Sequence, residues 1–335
     1  MHALSGEKYW LSVVVPTYNR AQQLGYTLKS LSDQTLDRSA FEVVVIDDGS
    51  TDESFQVAKG FEHRLNLKYA YQMDQGYRVA SARNLGIRIA EGAICVFVDS
   101  GVIAHSDCLR QHLRCHRTNR RAVAVIGYTY GWGADEYELS GVVDPNNADE
   151  SIGRLVGMGT VFDIRENVFR KYDYDIGRLS VPWTLYYGGH SSARKASLFQ
   201  VGLFDEHYDG KWGVEDQDLG YRLHQDGQLI VLCRSATVLH LPLPADRAAR
   251  ERQASENCRY FHQKYQTLQS RVFLDAYERD NVAWQMSHKE VVDFHELFLA
   301  AEARQPRADG GTGMEAPRRR SDRERASERG AGNRR

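Results

Sequence analysis

Two short runs of branched apolar residues constrain this chain more than anything else in it. Val13-Val14-Val15 runs into Pro16-Thr17-Tyr18-Asn19-Arg20, and about thirty residues later Val43-Val44-Val45-Ile46 runs into Asp47-Asp48-Gly49-Ser50. An unbroken branched run makes a strand buried on both faces, and such strands belong to parallel sheets covered by helices. The spacing fits one strand-helix-strand repeat, so each polar segment falls at the carboxyl edge of a strand, where open α/β sheets bind ligands.

The rhythm continues beyond the pair. Strands are expected at residues 11–15, 41–46, 67–71, 94–98 and 122–128, and helices at 21–34, 52–60, 79–90 and 106–119. The expectation is therefore an α/β fold, Rossmann-like, with a mostly parallel sheet and helices on both faces. Residues 131–182 mix Gly, Asp, Asn and Tyr without a clear period, as loops over a site do. Strand-like and helix-like runs return over residues 185–240, and an Ala-rich charged stretch from 245 to 265 reads as a helix. The division expected is a nucleotide-binding domain at 1–244, a helical extension at 245–303 and a tail at 304–335. The tail holds ten arginines, five acids and almost no large apolar residue, too little to offset the entropy of ordering.

Charge and motif content remove several classes of function. A net charge of -2 gives no reason to expect nucleic acid or an anionic membrane as the main partner. Five scattered cysteines fit a reducing compartment, and neither a signal-like start nor an 18-residue apolar run is present, so a cytoplasmic chain without a membrane span is expected. No Gly-x-Gly-x-x-Gly or P-loop sequence occurs, which disfavours nicotinamide enzymes and NTPases.

A carboxylate at the end of a strand, such as Asp48, can accept hydrogen bonds from a ribose hydroxyl or a uracil imide. Asp47 or Asp48 could equally cap the next helix. The segment Gln75-Gly76-Tyr77-Arg78-Val79-Ala80-Ser81-Ala82-Arg83-Asn84-Leu85-Gly86 then follows. With the two strand-end motifs before it, this resembles glycosyltransferase family 2, whose members share the GT-A fold, over about the first 240 residues. The resemblance implies that Pro16, Thr17, Tyr18 and Asp48 hold the nucleoside of a nucleotide-sugar, with Arg20 and Arg78 among the residues that bind the same ligand. It places Arg83 and Asn84 near the ribose and diphosphate, where a basic residue near a helix start suits negative charge.

At Val96-Phe97-Val98-Asp99-Ser100-Gly101 the family usually carries Asp-x-Asp, which helps to hold a divalent ion against the diphosphate. This chain keeps Asp99 and has Gly101 in place of the second acid. The resemblance offers His240, after the last core strand, as a further ligand, and one Asp with one His suits Mn²⁺ at least as well as Mg²⁺.

Lys211-Trp212-Gly213-Val214-Glu215-Asp216-Gln217-Asp218-Leu219 resembles the Trp-Gly-x-Glu-Asp segment of family 7 galactosyltransferases, polypeptide GalNAc-transferases and bacterial polysaccharide polymerases. Acids opening a helix also simply favour its N-terminus. By the resemblance, Asp216 is the general base, Glu215 binds a sugar hydroxyl, and Trp212 and Gly213 contact substrate. Upstream, Gly189 and His190 resemble the segment lining the donor sugar, although His190 could equally be a packed core residue.

The implied reaction is inverting transfer from a nucleotide-sugar, foremost a UDP-sugar, to a hydroxyl acceptor the sequence leaves unidentified, by a chain that could oligomerise. TDP- or GDP-sugars, a thiol acceptor and a non-catalytic nucleotide-sugar-binding subunit are the alternatives. Cys108, His112, Cys115 and His116 share a helix face and suggest zinc, but thiols seven residues apart are about 10 Å apart along the axis, too far for one tetrahedral ion.

Overall fold

In the computed structural model, residues 7–132, 134, 139–159, 162–242, 246–279 and 291–305 are described. The first half follows the expected alternation: β1 (Tyr9–Thr17), α1 (Ala21–Ser32), β2 (Phe41–Asp47), α2 (Ser54–Gly60), β3 (Leu67–Tyr71), α3 (Val79–Ile89) and β4 (Gly92–Val98). Strands β1, β2 and β4 are buried along almost their whole length, because the covering helices pack on both faces. All three pairings among β1 to β4 are parallel, with Val13 beside Val43 and Val96.

Beyond β4 the topology changes. β5 (Val102–Ala104), α4 (Cys108–Thr118), β6 (Val123–Tyr130), α5 (Ala148–Met158), α6 (Glu166–Lys171), β7 (His190–Arg194), α7 (Lys195–Gln200), α8 (Glu215–Gln225) and β8 (Leu229–His240) follow. The eight strands take the order β3-β2-β1-β4-β7-β6-β8-β5, so β7, late in the sequence, fills the place between β4 and β6. It runs antiparallel to both, and β5 runs antiparallel to β8. The sheet is mixed rather than simply doubly wound.

Three helices complete the described chain: α9 (Arg247–Tyr265), α10 (Leu268–Arg279) and α11 (Phe294–Ala303). They share the core of the sheet domain. Cys258, Phe261, Phe273 and Phe294 join Trp183, Tyr186 and Tyr208 in one buried cluster, and Trp183 stacks on Phe261 with ring centroids 5.2 Å apart. Much of the Arg-rich tail, from residue 306 onward, lies outside the described residues.

Candidate active site

The carboxyl ends of β1, β2 and β4 open into a cavity of about 660 Å³, a size suited to a nucleotide-sugar. Pro16, Thr17, Tyr18, Arg20 and Asp48 line one end of it, and Asp99, Gly189, Trp212, Gly213, Glu215, Asp216 and His240 line the rest.

At the first end the polar groups are already engaged. Asp48 accepts from the Arg78 backbone N–H at 2.9 Å, the Arg78 guanidinium at 3.0 Å and the Gln72 amide at 2.5 Å. Its neighbour Asp47 accepts from the Gly49 and Ser50 N–H groups and the Tyr69 hydroxyl, so it holds the turn and does not face the cavity. Arg78 thus serves to fix Asp48 and is not part of the cavity wall. Thr17 differs from these: its hydroxyl oxygen is buried without a partner.

The other end is built around Arg83, on α3. Its side chain is 3% exposed and donates to Asp99 at 2.9 Å and to Glu215 at 3.0 Å. A side chain at Gly188 would come within 2.8 Å of the guanidinium, so only a glycine lets the backbone pass there. Asp216 accepts from the Gly188 N–H and from its own neighbour Gln217, both at 2.8 Å. Three carboxylates therefore gather near one guanidinium. Burial, together with the Asp216 charge and against the opposing pull of Arg83, raises Glu215 to about 7, and burial also raises Asp216 above its ordinary value. Glu215 Oε2 and Gln217 Oε1, on cavity-lining residues, are also buried without partners.

The backbone that presents these acids is strained. Gly213 and Val214 both have positive φ, +91° and +77°, immediately before α8. A β-branched residue seldom adopts that region, and strain of this kind persists only where surrounding structure enforces it.

Residues 12–177 match the family model described as glycosyl transferase family 2. Validoxylamine A glucosyltransferase from Streptomyces hygroscopicus subsp. jinggangensis is 38% identical over 265 residues, covering 78% of this chain and 63% of that one. The chain belongs to glycosyltransferase family 2.

A second validoxylamine A glucosyltransferase, from Streptomyces hygroscopicus subsp. limoneus, is 37% identical over 78% of this chain and 58% of its own length. Chondroitin synthase of Escherichia coli is 28% identical over 78% of this chain and 40% of its own. This family 2 glycosyltransferase thus spans less than two thirds of each of these relatives. Among solved structures, a mannosyltransferase from Pyrobaculum calidifontis, in complex with GDP-Man and Mn²⁺, matches with a TM-score of 0.57 at 18% identity, over 89% of this chain and 76% of that one. Staphylococcus aureus TarS residues 1–349 with UDP-GlcNAc matches with a TM-score of 0.56 at 18% identity, over 87% and 79%. Both likenesses confirm the GT-A fold.

Three residues expected at the site of this family 2 glycosyltransferase lie elsewhere. His190 is 1% exposed and turns away from the cavity, to the face of the sheet against α4, because it alternates with Gly189 along the strand. Asn84, also buried, bonds the Phe204 backbone and Glu206, joining α3 to the turn before α8. Arg78 is occupied by Asp48. Conversely, Trp132, Tyr187, Tyr77, Gln217 and Arg250 line the cavity without having been expected. Trp132 and Tyr187 meet edge to face at 4.9 Å, and the buried Arg165 guanidinium supports both rings from 5.5 and 5.0 Å. Trp212 carries the Arg250 guanidinium 5.2 Å from its ring. An excess of aromatic residues at the end of β6 and just after it, 128–132, and at 186–187 was the signal available in the sequence for Trp132 and Tyr187.

The departure at Gly101 has a backbone cause. Its φ is +99°, its N–H donates to Thr27 at 3.0 Å and its carbonyl accepts from Leu241 at 2.9 Å. That left-handed position sets β5 beside β8 and disfavours an aspartate. Asp99 and His240 nevertheless face the same cavity, and burial holds the His240 imidazole neutral, its pKa lowered to about 4. A neutral imidazole and one carboxylate fit a divalent ion whose other ligands come from a bound diphosphate and water.

Proposed function

We propose that this chain transfers a sugar, with inversion, from a UDP-sugar to a hydroxyl of a small or carbohydrate acceptor. The observation that carries the reading is the pair Glu215–Asp216, raised in pKa, exposed to the cavity and opposed by a single shared arginine. The names of the two validoxylamine A glucosyltransferases favour glucose as the sugar.

In the proposed step the acceptor oxygen attacks the anomeric carbon, the bond from that carbon to the diphosphate oxygen breaks, and the acceptor proton passes to Asp216. A carboxylate whose pKa is raised toward neutrality is a better base than an ordinary one, provided it is ionised at the working pH. Glu215 holds a sugar hydroxyl through its unpartnered oxygen; Arg83 keeps Glu215 oriented, and the Gly188 and Gln217 N–H groups orient Asp216. Trp212, Trp132 and Tyr187 offer aromatic faces to sugar rings. A divalent ion, Mn²⁺ or Mg²⁺, held by Asp99 and His240 would neutralise charge on the departing diphosphate. The intact acids weigh against a non-catalytic binding subunit.

The test is thermal stabilisation of the chain by UDP-, TDP- and GDP-sugars, each with and without Mn²⁺, because a ligand that binds only the folded state raises its stability. A Mn²⁺-dependent rise with a UDP-sugar is expected. A rise with TDP- or GDP-sugars alone would replace the donor, and no rise with any would overturn the reading.

A further inference from the structure

On the side of the sheet opposite the cavity, two side chains of α4 meet one of β7. Cys108 and His112 are one helical turn apart and fully buried, and His190 reaches them from the strand. His190 Nε2 lies 3.4 Å from Cys108 Sγ and 3.0 Å from His112 Nε2, and the three donor atoms all fall within 4.8 Å of one another. Cys115 is not part of this group. The helix alone could not supply a coordination set, but the helix and the strand together bring three donors to one point.

We propose that Cys108, His112 and His190 bind a structural Zn²⁺ ion that fixes α4 to β7. The donor types are those of zinc sites, and zinc bond lengths of about 2.0 Å to nitrogen and 2.3 Å to sulfur give tetrahedral edges of about 3.3 Å between nitrogens and about 3.5 Å between nitrogen and sulfur. The observed edges of 3.0 and 3.4 Å need only a small adjustment. The outer contacts match as well. The Nδ1 of His112 sits 2.9 Å from the Ser192 hydroxyl, and that of His190 is 3.5 Å from the Thr129 hydroxyl. Metal-bound imidazoles characteristically direct their second ring nitrogen to such an oxygen. If both Nδ1 atoms donate, the two Nε2 lone pairs face each other at 3.0 Å, an arrangement a cation resolves. A proton shared between them satisfies both rings only if one Nδ1 gives up its donor role.

The surroundings are shaped to this group. A side chain at Gly127 would lie 1.9 Å from the His190 ring, so glycine there is what admits the imidazole. Ser192 also receives His116 at 2.9 Å, which closes the polar layer between helix and strand. The proposed ion is separate from the one discussed for Asp99 and His240, which line the cavity with oxygen and nitrogen donors only. It has a bearing on the cavity all the same. Gly188 and Gly189, directly before His190, bond Asp216 and the Asp99 backbone, so an ion at His190 anchors the segment that sets both acids.

The test uses full-length protein. Made in zinc-containing medium and washed with chelator, it should retain a single zinc ion per chain. Made in cobalt-supplemented, zinc-depleted medium, it should show a near-ultraviolet thiolate-to-cobalt charge-transfer band, which the oxygen and nitrogen donors at Asp99 and His240 cannot produce. Cys108→Ser should abolish the band and His112→Gln should abolish or strongly weaken it. Absence of retained zinc and of the band in the wild-type chain overturns the proposal, whether or not the variants fold. A band unchanged in either variant also overturns it, because the thiolate would then belong to another site, such as Cys115 or Cys233.

Discussion

The two ends of the cavity treat their carboxylates in opposite ways. At the β2 end, Asp47 and Asp48 are saturated by donors from Gly49, Ser50, Tyr69, Gln72 and Arg78. At the β4–α8 end, Asp99, Glu215 and Asp216 share Arg83, and burial raises the last two. A saturated acid has its lone pairs committed and maintains shape. An undersaturated one keeps capacity for a ligand and sits at a cost that the fold must offset elsewhere.

The contrast can be broken most severely at Arg83. Arg83→Met leaves Asp99 and Glu215 without their shared cation in a buried setting and should cost roughly 3–5 kcal/mol, measured by urea unfolding. A loss under about 1 kcal/mol would mean that these acids do not depend on Arg83. Next in size, Asp216→Asn should lower kcat by roughly 10²-fold while nucleotide affinity stays near wild type. In the wild-type profile kcat should fall as pH drops through the raised carboxylate range, since a protonated acid cannot take the acceptor proton. Retained turnover in the variant, or an acid limb in the ordinary carboxylate range, would remove Asp216 from its role. The smallest effect belongs to the saturated end: Arg78→Ala should cost about 1.5 kcal/mol of nucleotide affinity by loosening Asp48, leaving kcat almost unchanged. A variant that lost kcat and kept affinity would erase the difference between the two ends.

The first half of the sheet was legible because its strands are buried on both faces and announce themselves as branched runs; β1, β2, β3 and β4 fall where residues 11–15, 41–46, 67–71 and 94–98 predict them. β7 could not be read in the same way. His190-Ser191-Ser192-Ala193-Arg194 has no apolar run, although it lies at the centre of the sheet, because its inward side chains meet a polar layer on α4 instead of a hydrophobic one. The same alternation explains why Gly189 lies on the cavity and His190 does not. Asp99, Glu215 and Asp216 were found from their motifs, but their convergence on Arg83 depends on contacts across 132 residues of sequence, which no local pattern encodes.

The position of β7 also governs how the chain can assemble during synthesis. β4 and β6 have no contact with each other in the sheet until residues 190–194 are available to pair with both, and β6 awaits β8 on its other side. A nascent chain that has emerged only as far as residue 177, the end of the family match, therefore carries one four-stranded sheet with an unpaired edge at β4, and β5 and β6 without any pairing strand. Such edges invite pairing with other chains. Dissecting this protein at that boundary would yield an aggregating half rather than a smaller enzyme.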